Sequence, residues 1–161
     1  MELTIFRDYF REEREELHKD CFEYDWFNCK QLKYKKCSEE EVKSVMKSAY
    51  KLIKEFYKLH AGYGRIGNIF SVGLNQFTEF LKEDLNILDT LALTMSDADR
   101  LFITVNAGKR GPLIPANALV RFQFVEMILR IALRRYYESQ EAPTEAEALQ
   151  MLIERNLIPA K

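Results

Sequence analysis

The chain has 161 residues, enough for one domain with a proper core. Hydrophobic residues make up 47% and charged residues 30%, which argues against disorder. Lys and Arg number 24 against 25 Asp and Glu, so a formal net charge of −1 sets up no global field toward nucleic acid or an anionic membrane.

With only 6 Gly and 4 Pro, the chain favours long helices over strands and turns. Residues 2–22 predict a first helix. Ile5, Phe6, Tyr9 and Phe10 give it an apolar face that Leu17 and Cys21 extend, around the all-charged run Arg11 to Glu16. Residues 23–37, aromatic and basic with poor periodicity, read as a connector anchored by Trp26 and Phe27. Ser38 opens the clearest helix, with Glu41 at capping-box spacing and three glutamates suited to the positive end of the dipole. Its stripe runs Val42, Val45, Met46, Ala49, Tyr50, Ile53, Phe56 and Tyr57, and it should stop near His60, before Gly62 and Gly64.

After a Gly-punctuated stretch, Leu74, Phe77, Phe80, Leu81, Leu85 and Leu88 form another helical stripe. Ser96 reads as the N-cap of a helix over 97–106, with Leu101, Phe102 and Val105 inward. Residues 107–117 read as a loop, and Asn117 as the cap of a helix from Ala118 to about Tyr137. Pro143 breaks the chain. Thr144 and Glu147 make a second capping box, opening a short helix with Ala148, Leu149, Leu152 and Ile153. The predicted fold class is all-α. It divides into an N-terminal helix and connector (1–37), a helical core (38–140) and a C-terminal short helix packing on that core (143–161).

Two helix starts repeat. One carries Val72, then Gln76, Phe77, Glu79, Phe80 and Leu81; the other carries Leu119, then Gln123, Phe124, Glu126, Met127 and Ile128. Each follows a loop that follows a helix. This pattern, over about residues 39–138, resembles a pair of EF-hands. In that family, loop position eight is apolar and pairs across the two loops, and position twelve starts the exiting helix. Val72 and Leu119 match position eight, Gln76 and Gln123 match position twelve, and Phe77 and Phe124 match the aromatic that follows. The second unit is also similar to degenerate EF-hand regions of ciliary and flagellar proteins of protists. The resemblance therefore implies a cytoskeletal or ciliary scaffold, with a groove for an amphipathic helix of a protein partner. Phe77, Phe80, Leu81, Phe124, Met127, Ile128 and Ile131 would line the groove, with plain core as the competing role and residues 143–161 as one possible filling.

Calcium is not expected. An EF-hand loop needs oxygen ligands at positions one, three and five and a bidentate carboxylate at twelve. Those positions hold Arg65, Gly67 and Ile69 in one loop and Pro112, Ile114 and Ala116 in the other, and both position-twelve residues are neutral Gln. Position six, where Gly makes the sharp turn, is Phe70 or Asn117.

Other chemistry is sparse. His18, Cys21, Cys29 and Cys37 number four zinc-type donors but lack paired Cys-x-x-Cys spacing, so plain thiols rank ahead of a zinc site. Lys30, Lys33, Lys35 and Lys36 form a local basic patch next to Glu39 to Glu41, read first as a solvated connector and second as a contact for RNA or for the acidic surface of a microtubule, a microtubule-associated partner. The alternative function is thus a zinc- or nucleic-acid-binding module over 18–37. The run Gly108 to Gly111 lacks the ending of a phosphate loop. No nucleophile–base arrangement is present: His18 and His60 fall on different helices, so the expectation is a non-enzyme without cofactor. The odd count of three cysteines and the absence of an apolar run of ~18 residues point to a cytoplasmic chain with reduced thiols and no membrane partner.

Overall fold

A computed structural model of the chain describes residues 2–29, 34–63, 70–107 and 118–160. Side chains are described for 15–29, 34–61, 71–107 and 118–160. The fold is mostly helical, as expected, and among the described residues three short strands are added in the order β1-β2-β3.

Helix α1 spans Glu2–Asn28, passing the expected end at Phe22. Phe22 and Trp26 keep the spacing of a buried face, but the position between them is Asp25, itself only 1% exposed. A buried carboxylate at a core position hides the period that an apolar residue would have shown. Helix α2 spans Glu39–His60, and Ser38 caps it by accepting from the Glu41 N–H at 3.3 Å. Its buried stripe is Val42, Met46, Ala49, Tyr50, Ile53, Phe56 and Tyr57.

Strands β1 (Gly62–Tyr63) and β2 (Phe70–Gly73) pair antiparallel. Helix α3 (Leu74–Glu79) follows directly and widens into a π-helical turn over Phe80–Asp84. The stripe expected to reach Leu88 ends at Leu85. Asn86 takes a left-handed φ of 48°, and the N–H of Ile87 bonds back to Leu81 O at 3.1 Å, which closes the helix terminus. Asp89 then accepts the N–H groups of Leu91, Ala92 and Leu93 at 2.7–2.9 Å and folds the next loop around its carboxylate.

Helix α4 spans Met95–Asn106, and its cap is Thr94, not Ser96. Thr94 accepts from the Asp97 N–H at 3.2 Å while Asp97 accepts from the Thr94 N–H at 3.1 Å, a reciprocal box that starts the helix one residue before Ser96. The helix expected from Ala118 begins later: Ala118–Leu119 is strand β3, and α5 spans Arg121–Ala132 before a π-helical turn over Leu133–Tyr137. Asn117 lies outside the described residues. Helix α6 (Glu145–Leu152) is capped by Thr144, which accepts from the Glu147 N–H at 3.1 Å. A last π-helical turn (Ile153–Leu157) and α7 (Ile158–Ala160) complete the chain.

The core is aromatic at its centre. Phe124 sits 5.9 Å from Phe77, edge to face, and 5.4 Å from Phe80, and Tyr57 closes on Phe124 at 5.6 Å. Helix α6 packs on α2, α5 and the π-helical turn after α5, so the C-terminal segment belongs to the same core. No helix among the described residues is long and apolar enough to cross a membrane.

Candidate functional site

The two repeated helix starts meet. Strand β2 pairs with β3 antiparallel, with Val72 opposite Leu119 and Gly73 opposite Ala118. Val72 and Leu119 are both fully buried. Each lies one residue before its helix's N-cap, and Phe77 and Phe124 are each the fourth helical residue, which is hydrophobic-staple spacing. Each Gln is the third helical residue. Gln123 turns back so that its Oε1 accepts from the Val120 N–H at 3.0 Å. The oxygen at the position the EF-hand resemblance gives to a metal ligand is therefore engaged in capping α5. Gln76 folds back in the same sense, since a Cβ at Gly73 would meet its Oε1 at 2.5 Å. Gln123 is 1% exposed and its Nε2 has no hydrogen-bond partner among the described residues.

Arg65, Gly67, Ile69, Pro112, Ile114 and Ala116, read as empty ligand positions, lie outside the described residues, as do Gly108 to Gly111 and the side chain of Phe70. The seven groove residues are all described. Phe77, Phe80, Leu81, Phe124, Met127, Ile128 and Ile131 are each 0–1% exposed. They are core side chains in this structure and line no open groove, because Leu149 and Leu152 of α6, also 0% exposed, share their core. Asn156 fastens the segment further, accepting from the Tyr136 hydroxyl at 2.6 Å and donating to Leu85 O at 3.0 Å.

Residues 18–37 do not converge on a metal. No group of three or more His, Cys, Asp or Glu among the described residues could hold one. His18 leans on the Tyr50 ring at 5.1 Å; burial, then the charges of Lys54, Lys51 and Lys47, hold its pKa below the usual histidine value. The Cys29 thiol donates to Phe122 O at 3.5 Å, and burial pushes its pKa far up. Cys37 donates to Glu145 at 3.5 Å, and Cys21 is half-buried against the core. The four donors are thus placed apart by separate packing roles.

Of the basic patch, Lys30 and Lys33 lie outside the described residues, while Lys35 and Lys36 are exposed. Their backbone is fixed by Glu145 at the start of α6, which accepts the Lys35 N–H at 2.8 Å and the Lys36 N–H at 3.2 Å. Glu145 is 3% exposed; burial raises its pKa, but these N–H bonds and the Cys37 thiol outweigh that and hold it below the usual glutamate value.

One polar constellation was illegible in the sequence. Asp25 of α1 accepts from Arg121 Nε at 2.7 Å and Nη2 at 3.2 Å, and also from the Tyr50 hydroxyl. It ties α1, α2 and the start of α5 together. Arg121 is raised above its ordinary value first by that hydrogen bond, and Tyr50 is raised by burial and then by Asp25. The three sit far apart in sequence, and no local pattern announces them. His60 Nε2 makes a second polar contact, 2.5 Å from Asp84.

No family model, curated protein or solved structure matches the chain.

Two small clefts stand out among the described residues. One, of about 350 Å³ between α4 and α5, is lined by Arg100, Arg130 and Arg134 with Asp97 and Glu138. Its charges are largely satisfied within it: Arg134 pairs with Glu138 at 2.6 Å and Asp97 at 3.1 Å, and Arg130 with Glu126 at 3.2 Å. The other, of about 200 Å³, lies where α1 meets the start of α2.

Proposed function

We propose that this chain is a non-catalytic protein-interaction module. In this reading it is two EF-hand-like helix–loop–helix units that work without calcium, with the partner groove closed by residues 143–161. The observation that carries the reading is the β2–β3 register. It sets Val72 opposite Leu119, the pair that the EF-hand resemblance brings side by side. The capping role of Gln123 Oε1 supports the calcium-free half of the proposal. The burial of Leu149 and Leu152 beside the seven aromatic and aliphatic residues supports the closed half. The partner is an amphipathic helix that takes the place of the chain's own C-terminal segment. A cytoskeletal or ciliary setting is part of the same proposal, tested by localising the tagged chain.

The direct experiment uses the full chain with Leu149→Glu and Leu152→Glu and a labelled peptide of residues 143–161. The variant should stay helical and bind the peptide saturably in the micromolar range. The unaltered chain should bind at least about ten-fold more weakly, because its own tethered segment competes at an effective concentration near millimolar. A helical variant that takes up no peptide overturns the groove. Calorimetric titration with calcium should give no saturable heat; a micromolar site overturns the calcium-free assignment.

A further inference from the structure

The buried face of α6 is not wholly apolar. It reads Glu145, Ala148, Leu149 and Leu152, so a carboxylate takes the first place in the stripe, ahead of the side chains that close the core. The segment's other acids, Glu147 and Glu154, are exposed. Glu145 is 3% exposed and is received by residues 35–37. The Lys35 N–H reaches its Oε1 at 2.8 Å, the Lys36 N–H reaches Oε2 at 3.2 Å, and the Cys37 thiol donates to Oε2 at 3.5 Å. The Tyr137 hydroxyl, in the turn after α5, faces the same carboxylate.

These donors form a socket for one carboxylate at the edge of the core that α6 covers. Net charge does not explain it. The Lys35 and Lys36 side chains are exposed, Lys30 and Lys33 lie outside the described residues, and Glu39 and Glu41 bring negative charge close to Tyr34 and Cys37. The preference for a carboxylate comes from aimed N–H and S–H groups, which keep Glu145 charged despite its burial. A helix that enters without an acid at this place covers the same donors and offers them no acceptor, which costs binding free energy.

We infer that the groove selects its partner through this socket: the incoming amphipathic helix carries an acid in its first turn, four and seven residues ahead of two large apolar side chains, and residues 35–37 receive it. The template is the chain's own segment, with Glu145 ahead of Leu149 and Leu152. The inference rests on the closed-groove reading and adds a chemical requirement to it.

The test uses the full chain with Glu145→Ala, Leu149→Glu and Leu152→Glu, which empties the socket and the apolar face together. Labelled peptides of residues 143–161 are titrated in three forms: unaltered, Glu145→Gln and Glu147→Gln. Gln keeps the shape and one acceptor but loses the charge, and charge-assisted hydrogen bonds are roughly twice as strong as neutral ones. Glu145→Gln should therefore weaken binding about ten-fold, while Glu147→Gln, at an exposed position, should stay within about two-fold. Amide NMR spectra of the receptor locate the effect: the unaltered peptide should move the Lys35 and Lys36 resonances downfield, and the Glu145→Gln peptide should move them less.

A helical receptor that takes up no unaltered peptide overturns the groove, and this inference with it. Equal binding of the Glu145→Gln peptide, or an equal loss from Glu147→Gln, leaves the groove standing and overturns the socket. The same chemistry is read without the triple variant. Glu145→Gln alone, in the full chain, should speed exchange of the Ala148 to Leu157 amides about ten-fold and leave those of α4 unchanged; an unaltered C-terminal rate overturns the socket.

Discussion

Replacing Arg121 tests whether the three-helix junction at Asp25 holds the N-terminal helix to the core. Arg121→Ala removes guanidinium bonds of 2.7 and 3.2 Å and leaves a carboxylate that is 1% exposed with only the Tyr50 hydroxyl as partner. Breaking a buried pair by deleting one member costs about 3–5 kcal/mol. Because Arg121 is 35% exposed, water follows into the gap and the cost falls to the low end, about 3 kcal/mol. Asp25→Ala leaves the Tyr50 hydroxyl buried without its acceptor, at about 2 kcal/mol, while the partly exposed guanidinium rehydrates. The double variant strands no buried charge. It should cost about 3 kcal/mol in all, so the two sites are coupled by about 2 kcal/mol. Urea unfolding followed by Trp26 emission, one residue from Asp25, reads all four proteins. Additivity of the single costs within about 0.5 kcal/mol refutes the junction.

Acid should unfold the chain in a predictable window. Glu145 and Asp89 both have folded pKa values below their ordinary ones. Glu145 is raised by burial but lowered more by N–H bonds from the connector, and Asp89 is lowered first by the Leu93 N–H. A depressed carboxylate stabilises fully above its unfolded value, about 4.3 for Glu and 3.9 for Asp, and that stability is lost as pH falls through the folded value. His18, also depressed, begins to subtract earlier, below about 6.5. Urea midpoints measured from pH 7 to 3 should therefore fall, and Glu145→Gln should flatten the part below about 4.5; an unchanged slope contradicts the clamp on Lys35 and Lys36. Gln123→Met gives up one capping bond, about 1 kcal/mol, but relieves an orphan buried amide of similar cost, so its stability should stay within about 1 kcal/mol of the unaltered chain. Phe124→Ala, at the centre of the aromatic cluster, should cost about 3–5 kcal/mol by calorimetry or urea unfolding. Gly73→Ala displaces only the exposed end of Gln76, at an ordinary φ of −73°, and should cost less than about 1 kcal/mol in the same assay.

The parts of the fold legible beforehand are those with local signals. Ser38 with Glu41 and Thr144 with Glu147 announce α2 and α6, because a cap and its periodic stripe lie within one turn of each other. The EF-hand resemblance also anticipates the adjacency of Val72 and Leu119, since both match the loop position that pairs across two units in that family. Where a signal depends on a distant partner, the pattern misleads. Asp25 looks like a connector residue until Arg121 arrives from α5. Leu88 extends an apolar stripe on paper, yet Asn86 has already turned the chain. Ser96 with Asp99 offers the same capping spacing as Thr94 with Asp97, so local sequence does not choose between them, and the structure starts the helix at Thr94. The seven groove residues illustrate a further limit. An apolar stripe reads the same whether it faces a partner or the chain's own α6, and only packing decides between them.

Native-state hydrogen exchange on the unaltered chain tests the central claim, a groove reversibly closed by the C-terminal segment, most directly. Amides of Ala148 to Leu157 should exchange through a sub-global opening at distinctly lower free energy than those of α2 and α5, with a urea dependence that is measurable but smaller than that of global unfolding. Exchange of the C-terminal amides only together with α2 and α5, through global unfolding, contradicts it.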